Sequence, residues 1–166
     1  MKKITAQDIA FTAIIAALYA VLTLVFYPIS FLGIQFRFSE IMIILAFFNR
    51  KYSFGLIIGC VLANLASPLG FWDALFGTIA TTLAVLALCF IPYLAIDLLL
   101  AVIFNAFIVG AELYFLLGEG FWISTGLVAL GEFTVLFVGY IFFYIMKRRP
   151  NFFKVIKAER NLEYKF

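Results

Sequence analysis

A short polar stretch separates two long apolar runs and carries the side chains best suited to binding chemistry. It reads Gly33-Ile-Gln-Phe-Arg-Phe-Ser-Glu40, so that Gln35, Arg37 and Ser39 alternate with apolar residues before Glu40. A guanidinium offers five hydrogen-bond donors in a fixed fork, whereas an ionised carboxylate only accepts hydrogen bonds. The two charged groups therefore either recognise a small polar molecule or form an ion pair that fixes the stretch. The residues alone leave both interpretations open.

The composition indicates that the folded chain is surrounded by lipid. Of its 166 residues 66% are hydrophobic and 13% are charged, and the mean hydropathy is +1.15. A soluble domain carries roughly 25% charged residues. At about 20 residues per crossing, this length predicts an all-α integral membrane protein, a bundle of six transmembrane helices. We expect the membrane domain to cover residues 1–149 and a polar cytoplasmic tail to cover residues 150–166.

The apolar runs and the residues that break them predict where the six helices lie. We expect them over about residues 8–27, 39–48, 52–66, 73–91, 95–117 and 124–146. The second and third are short, because ten helical residues reach only about 15 Å. A re-entrant segment, or a loop that dips into the protein, is compatible with that length. Irregular backbone at such a depth needs cover from protein or from a watery cavity.

Stripes of small residues run along several of these helices, the first and the third among them. Such stripes let a second helix approach closely, which favours helix association in lipid. In the first helix the stripe is a possible docking face for a partner protein or a packing face within this chain, and its members recur three or four residues apart: Ala6, Ala10, Ala13, Ala17 and Ala20. In the third helix Gly55, Gly59 and Ala63 have the same spacing and predict close packing.

The basic residues predict the orientation. They cluster at Lys2-Lys3, at Arg50-Lys51, and at Lys147-Arg148-Arg149 with the tail that follows. Because cytoplasmic loops carry an excess of lysine and arginine, six crossings place all three clusters and both termini in the cytoplasm. Of the 12 basic residues, only Arg37 then lies on the outer side.

Acidic residues are concentrated on the outer side with Arg37. They are Glu40, Asp73, Glu112, Glu119 and Glu132. An ionised group deep in the membrane costs about 2.5–3.5 kcal/mol, so Glu40 and Glu132 need a partner or a function. A pocket with excess negative charge suits a cationic ligand, and apolar walls with a few polar groups are typical of small-molecule sites.

We expect no catalysis by this chain. It has no histidine, which removes the commonest general base and the commonest metal ligand. Cys60 and Cys89 lack Cys-x-x-Cys spacing, and no Walker sequence is present for the use of ATP. We therefore predict that this chain binds no metal and no cofactor, that it is not an enzyme, and that it has no nucleic acid partner. A membrane binding subunit that takes its energy from a partner fits better than a carrier working alone, because no pair of inverted halves is detectable.

Four motifs carry a resemblance to a known family. They are Gln35-Phe-Arg-Phe-Ser-Glu40, Gly55-Leu-Ile-Ile-Gly59, Ala63-Asn-Leu-Ala-Ser-Pro-Leu-Gly70 and Asp73-Ala-Leu-Phe-Gly77-Thr-Ile-Ala-Thr81. Together they resemble the QueT family of queuosine-precursor transporters, which are substrate-binding S components of energy-coupling factor (ECF) transporters. The alanine stripe is also similar to the surface that S components offer to their coupling subunit.

The resemblance implies the six-helix S-component fold, with the ligand site near the outer face of a bacterial plasma membrane. It implies partners as well, namely one transmembrane coupling subunit and two cytoplasmic ATPases that would hold the ATPase activity. The implied substrate is 7-aminomethyl-7-deazaguanine or a close relative. An S component for another vitamin, such as riboflavin or thiamine, and a stand-alone small-solute channel are the alternatives.

The candidate residues combine these motifs with the predicted topology. The motifs support substrate binding by Gln35, Arg37, Glu40, Asn64 and Asp73, and the topology adds Trp72, Glu112 and Glu132. For Trp72, the ordinary enrichment of tryptophan at membrane interfaces is an equal alternative. The candidate partner-docking residues are Ala6, Ala10, Ala13, Ala17 and Ala20.

Overall fold

The computed structural model describes residues 5–31, 34–149 and 151–158, and all regular structure there is helical. The helices are α1 (Ala6–Val25), α2 (Tyr27–Ser30), a 3-10 helix (Phe38–Ile43), α3 (Ile44–Phe48), α4 (Tyr52–Leu65), α5 (Phe71–Phe90), α6 (Leu94–Leu117), α7 (Phe121–Met146) and α8 (Phe152–Val155). Gly33 of the polar stretch, the basic pair Lys2-Lys3, and the tail residues at 150 and 159–166 lie outside the described part.

Four helices are long and apolar enough to cross a membrane, and six full spans are not established. The four are α1, α5, α6 and α7. The two remaining apolar segments, Phe38–Phe48 and Tyr52–Leu65, are shorter. The first of them begins as a 3-10 helix rather than as the α-helix that its apolar residues predict. The chain is therefore an all-α membrane protein with four candidate spans and two shorter apolar segments.

Local signals set where the helices begin and end. At the start of α1, Thr5 and Asp8 form a capping box, in which the Thr5 side chain accepts from the Asp8 N–H and the Thr5 N–H donates to Asp8 Oδ2 at 3.0 Å. The turn before α5 closes through the Gly70 N–H, which donates to Ser67 Oγ at 2.9 Å. Gly118 ends α6 in the left-handed conformation, with φ at 69°.

Successive helices run in alternate directions and define two ends of the bundle. Arg50, Lys51 and Lys147–Arg149 lie at one end, here called the basic end, where Lys51 Nζ is 3.2 Å from Asp8 Oδ1. The loop around Arg37 and the turns at 66–70 and 118–120 form the other end, here called the loop end.

The segment Phe38–Phe48 lies at the centre of the bundle. It contacts α1, α4, α5 and α7, while α1 packs on α4, α4 on α5, α5 on α6 and α6 on α7. Ile43, Ile44, Phe47 and Phe48 are completely buried. Protein thus covers the irregular 3-10 backbone, as membrane depth requires.

The predicted close-packing face of α4 is confirmed. A Cβ at Gly55 would lie 2.8 Å from the Thr12 carbonyl oxygen, and one at Gly59 would lie 2.7 Å from Tyr19 Cβ. Real Cβ atoms do not approach so closely, so α1 reaches α4 only because these positions are glycine.

The alanine stripe of α1 lies on a different face of the helix. Ala6, Ala10, Ala13 and Ala17 are exposed at the surface of the bundle, and Ala20 is partly buried against the core. Apart from Ala20, the stripe does not pack within the described part of this chain. Its use by a partner stays a prediction.

The described part of the tail packs against the basic end. Asn49 Nδ2 donates to the Lys157 carbonyl oxygen at 2.7 Å, and the Tyr52 hydroxyl donates to the Ile156 carbonyl oxygen at 2.9 Å. The ring of Phe152 meets that of Phe48 edge-on, with centroids 5.7 Å apart. The described part of the tail is therefore held against the turn between α3 and α4.

Candidate functional site

Arg37 and Glu40 form a buried ion pair at the loop end. The Glu40 N–H donates to the Arg37 carbonyl oxygen at 2.9 Å, and this turn opens the 3-10 helix. Arg37 is the N-cap of this helix, and across the turn its Nη1 lies 3.9 Å from Glu40 Oε1. The side chains are only 5% and 1% exposed. Their separation suits an ion pair but is too long for a hydrogen bond.

Glu40 is held by neighbouring helices through one of its two oxygens. The Tyr19 hydroxyl of α1 donates to Oε1, and the Thr81 hydroxyl of α5 approaches the same oxygen at 3.4 Å. The other oxygen, Oε2, is buried without a hydrogen-bond partner among the described residues. Glu40 therefore keeps one acceptor available for a ligand.

A second contact from α1 fixes the start of the 3-10 helix. Thr23 Oγ1 and Ser39 Oγ are 2.7 Å apart, and the Thr23 hydroxyl also donates to the Tyr19 carbonyl oxygen at 3.0 Å. All three residues are buried. The position of Glu40 is thus set by α1 as well as by its own turn.

Asn64 reaches the same region from α4. A Cβ at Gly77 of α5 would lie 2.5 Å from Asn64 Nδ2 and 3.7 Å from Arg37 Nη1. Glycine at position 77 therefore leaves the space that Asn64 occupies, with Arg37 at ordinary van der Waals distance. Asn64 Nδ2 donates to Cys60 Sγ at 3.2 Å, whereas its Oδ1 is buried with no partner among the described residues.

Asp73 and Glu112 form an acidic pair within two helical turns of the loop end. Asp73 lies one helical turn before Gly77, on the same face of α5, and its charge acts on Arg37. Glu112 of α6 is 0% exposed and interacts electrostatically with Asp73 and with Arg37. Within the described chain neither Glu112 oxygen receives a hydrogen bond.

Glu132 closes the site from α7. Asn105 Nδ2 of α6 donates to Glu132 Oε1 at 3.3 Å, and both residues are buried. Glu132 interacts electrostatically with Glu40 and Arg37. Glu119, in contrast, is exposed in the turn before α7 and accepts from the Ser124 hydroxyl at 2.6 Å, so it stays apart from this group.

The loop that carries Gln35 rests on α7. Gln35 has φ at 47°, in the left-handed region that non-glycine residues rarely adopt. A Cβ at Gly131 would overlap the Ile34 carbonyl oxygen and lie 2.9 Å from that of Gln35. The absence of a side chain at Gly131 therefore allows the loop backbone to sit directly on the helix beside Glu132.

Trp72 does not join this group within the described structure. It is 46% exposed, and its ring contacts those of Phe71 and Phe76 at centroid distances of 5.7 and 6.4 Å. A role in binding stays a prediction for Trp72.

The residues of the site are spread over three turns of α5. Asp73, Gly77 and Thr81 occupy successive turns of one face of α5, about 6 Å apart along the axis. Asp73 lies nearest the loop end, Gly77 lies beside Arg37 and Asn64, and Thr81 lies beside Glu40 farthest from that end. The buried polar residues that make up this candidate site are Gln35, Arg37, Glu40, Asn64, Asp73, Asn105, Glu112 and Glu132.

This arrangement suits a cationic ligand that is rich in hydrogen-bond donors. Four acidic side chains lie around one guanidinium in the described structure, so the acids outnumber the protein cations at this site. Buried charges and buried acceptors are costly unless something compensates them. Among the described residues no group of three or more histidine, cysteine, aspartate or glutamate side chains is placed to hold a metal ion.

Two residues that hold Glu40, Tyr19 and Thr81, are not among the site residues predicted from the sequence. Polar groups inside apolar helices are themselves a signal of function, and Thr81 also lies two turns from Asp73 on one helix face. Tyrosine, however, is common at membrane interfaces. Nothing in the pattern of α1 therefore separated Tyr19 from an interfacial residue.

The fold and the site together define a multi-pass membrane protein with a buried polar site at one end of its helical bundle. The sequence model of the QueT transporter family matches residues 9–148. The queuosine precursor transporter QueT of Lactococcus lactis subsp. cremoris (strain MG1363) is 34% identical over 164 residues, covering 84% of this chain and 91% of that protein. No solved structure gives a significant match. The chain belongs to the QueT transporter family, which confirms the resemblance carried by its motifs.

Proposed function

We propose that this chain is the substrate-binding membrane subunit, or S component, of an ECF-type importer, and that it captures a queuosine precursor for ATP-driven uptake. The observation that carries the proposal is the buried group of four carboxylates around Arg37. The relative from Lactococcus lactis is a queuosine precursor transporter by name, which supports the substrate class.

The chemistry of 7-aminomethyl-7-deazaguanine complements this site. Its ring offers N–H donors on one edge, for which Glu40 Oε2 and Asn64 Oδ1 are free buried acceptors in the described structure. Its carbonyl oxygen can accept from Arg37, and its ammonium group can pair with an acid. A ring without matching donors would leave these buried acceptors unpaired. Because that is costly, the site would discriminate against ligands that lack the N–H edge.

We propose that the loop end faces outward and the basic end faces the cytoplasm of a bacterial cell. The clusters at Arg50-Lys51 and Lys147-Arg148-Arg149 share one end of the bundle, as the positive-inside rule expects for cytoplasmic loops. In this arrangement Phe38–Phe48 and α4 complete six crossings between the two faces. Both termini, including the tail at 150–166, are then cytoplasmic.

The exposed alanine stripe is the proposed contact with a transmembrane coupling subunit, which in turn works with two cytoplasmic ATPases. Small exposed side chains allow close approach of a foreign helix in lipid. Ala6 to Ala17 are exposed over several turns of α1, and this supports a partner surface.

The test of the substrate is calorimetry on the purified protein. We expect 7-aminomethyl-7-deazaguanine to bind at one site per chain, and riboflavin and thiamine not to bind. Binding of riboflavin or thiamine instead would keep the S-component class and overturn the substrate. Movement of solute across reconstituted vesicles without any ATPase partner would favour a stand-alone channel.

Tryptophan on the alanine stripe should separate docking from ligand binding. Ala13→Trp and Ala17→Trp place a large ring where a partner helix would approach, so we expect both to lose co-purification with the coupling subunit. Ligand affinity should stay unchanged, because both positions face away from the site. Leu130→Trp on the exposed face of α7 is the matched control and should keep both properties. A complex that survives both alanine replacements would rule out this surface.

A further inference from the structure

The buried carboxylates of the site differ in what the protein provides for them. Glu40 has the Tyr19 hydroxyl, the Thr81 hydroxyl and the Arg37 guanidinium. Glu132 has the side-chain amide of Asn105. Glu112 is equally buried, and the side chain within hydrogen-bonding reach of it is another acid, Asp73, so that no described cation or neutral donor serves it.

The neighbour of Glu112 makes its position less favourable still. Asp73 carries a charge of the same sign and interacts with Glu112 directly. Like charges at short range repel each other strongly where water is scarce. Arg37 also acts on Glu112, but it already forms the ion pair with Glu40 at 3.9 Å. The acidic pair therefore has no cation of its own in the described structure.

A separate set of acceptors lies deeper and calls for neutral donors. Asn64 Oδ1 and Glu40 Oε2 are buried and unpartnered in the described structure, and both side chains adjoin Arg37. Measured along α5, Asn64 lies at the level of Gly77 and Glu40 at the level of Thr81. These levels are about one and two turns farther from the loop end than Asp73. The site thus has acceptors for neutral donors beside the Arg37–Glu40 ion pair, and an acidic pair nearer the loop end.

We propose that Asp73 and Glu112 form the subsite for a primary ammonium group of the ligand, and that this subsite determines the preference for amine-bearing over neutral ligands. The inference rests on the proposed function, because it assumes that a deazaguanine ring occupies the deeper acceptors. An ammonium group has three donors and no acceptor, so it can bond to both carboxylates and offset their repulsion.

The test compares two ligands that differ only in the amine, 7-aminomethyl-7-deazaguanine and 7-methyl-7-deazaguanine. Glu112→Gln keeps the shape of the side chain but removes its charge. We expect it to weaken binding of the aminomethyl compound by about ten- to hundredfold, the effect of losing a charge-assisted hydrogen bond. Binding of the methyl compound should stay the same or improve. Calorimetry on the full-length protein measures both affinities.

Two further variants sharpen the test. Asp73→Asn should show the same selective loss, and it decides the matter if Glu112→Gln does not fold. Glu119→Gln is the matched control, since this acid lies at the same end of the bundle but is exposed and bonded to Ser124. It should change neither affinity.

The outcomes separate the subsite from the proposed function. If wild type binds both ligands and the two site variants weaken them equally, or weaken neither, Asp73 and Glu112 are not an ammonium subsite although the substrate class stands. If wild type binds neither deazaguanine, the proposed function fails, and the subsite fails with it.

Discussion

Replacing Arg37 by methionine should lower the free energy of unfolding by about 3–5 kcal/mol and abolish ligand binding. Removing one partner of a buried ion pair leaves the other charge uncompensated, and losses of that size are typical. Here the consequence extends beyond Glu40, because Asp73, Glu112 and Glu132 share the same guanidinium. Thermal unfolding in detergent and calorimetry with the aminomethyl ligand measure the two effects.

A four-variant comparison shows whether Arg37 contacts the ligand or only fixes Glu40. Wild type is compared with Arg37→Met, Glu40→Gln and the double variant. If Arg37 only paired with Glu40, the double variant would be as stable as Glu40→Gln and bind ligand equally well. We expect it to stay less stable and to bind less well than Glu40→Gln, because Asp73, Glu112 and Glu132 also lose their electrostatic interaction with the guanidinium.

A control arginine at the opposite end of the bundle tests the specificity of this effect. Arg50 Nε donates to the Cys89 carbonyl oxygen at 2.8 Å, and the side chain lies over the Phe90 ring. Arg50→Met should cost no more than about 1.5 kcal/mol, the contribution of one ordinary hydrogen bond, and should leave ligand affinity unchanged. If Arg37→Met lost no more stability than Arg50→Met and kept its ligand affinity, Arg37 would not be the residue on which the site depends.

Most of the helix order could be predicted because its signals are local. Breakers such as Pro28, Pro92 and Gly118 bound apolar runs, and α5, α6 and α7 begin and end within a few residues of the predicted limits. The segment Phe38–Phe48 was harder to predict. Hydropathy measures apolar character but does not distinguish cover by lipid from cover by protein, so it could not reveal a buried 3-10 helix at the centre of the bundle.

The charged part of the site was predictable for a different reason. Buried acids and an arginine are so unfavourable in lipid that they must meet one another, and helix direction alone places Asp73, Glu112 and Arg37 at one end. Trp72 lacked such a constraint, because an aromatic ring is stable at the interface as well as in a site. The role of Gly131 could not be predicted from the sequence, because it depends on which loop packs against α7.

Gly131→Ala should destabilise the protein by about 1–3 kcal/mol, the usual cost of overpacking, and should weaken ligand binding. The added methyl group would overlap the Ile34 carbonyl oxygen and crowd that of Gln35. Backbone cannot rotate away as a side chain can, so the loop must shift. Arg37 follows two residues later and must move with it, which would disturb its pairing with Glu40.

Gly126→Ala on the same helix is the matched control for this substitution. Gly126 is exposed, and a Cβ there would meet nothing within 4 Å. Alanine is favoured over glycine within a helix by up to about 1 kcal/mol, so this variant should be as stable as wild type or slightly more so, with unchanged affinity. Thermal unfolding and calorimetry on both variants give the comparison. If Gly131→Ala behaved like Gly126→Ala, the loop would not rest on α7, and the position of Arg37 would have to be set by the contacts of α1 with Ser39 and Glu40 alone.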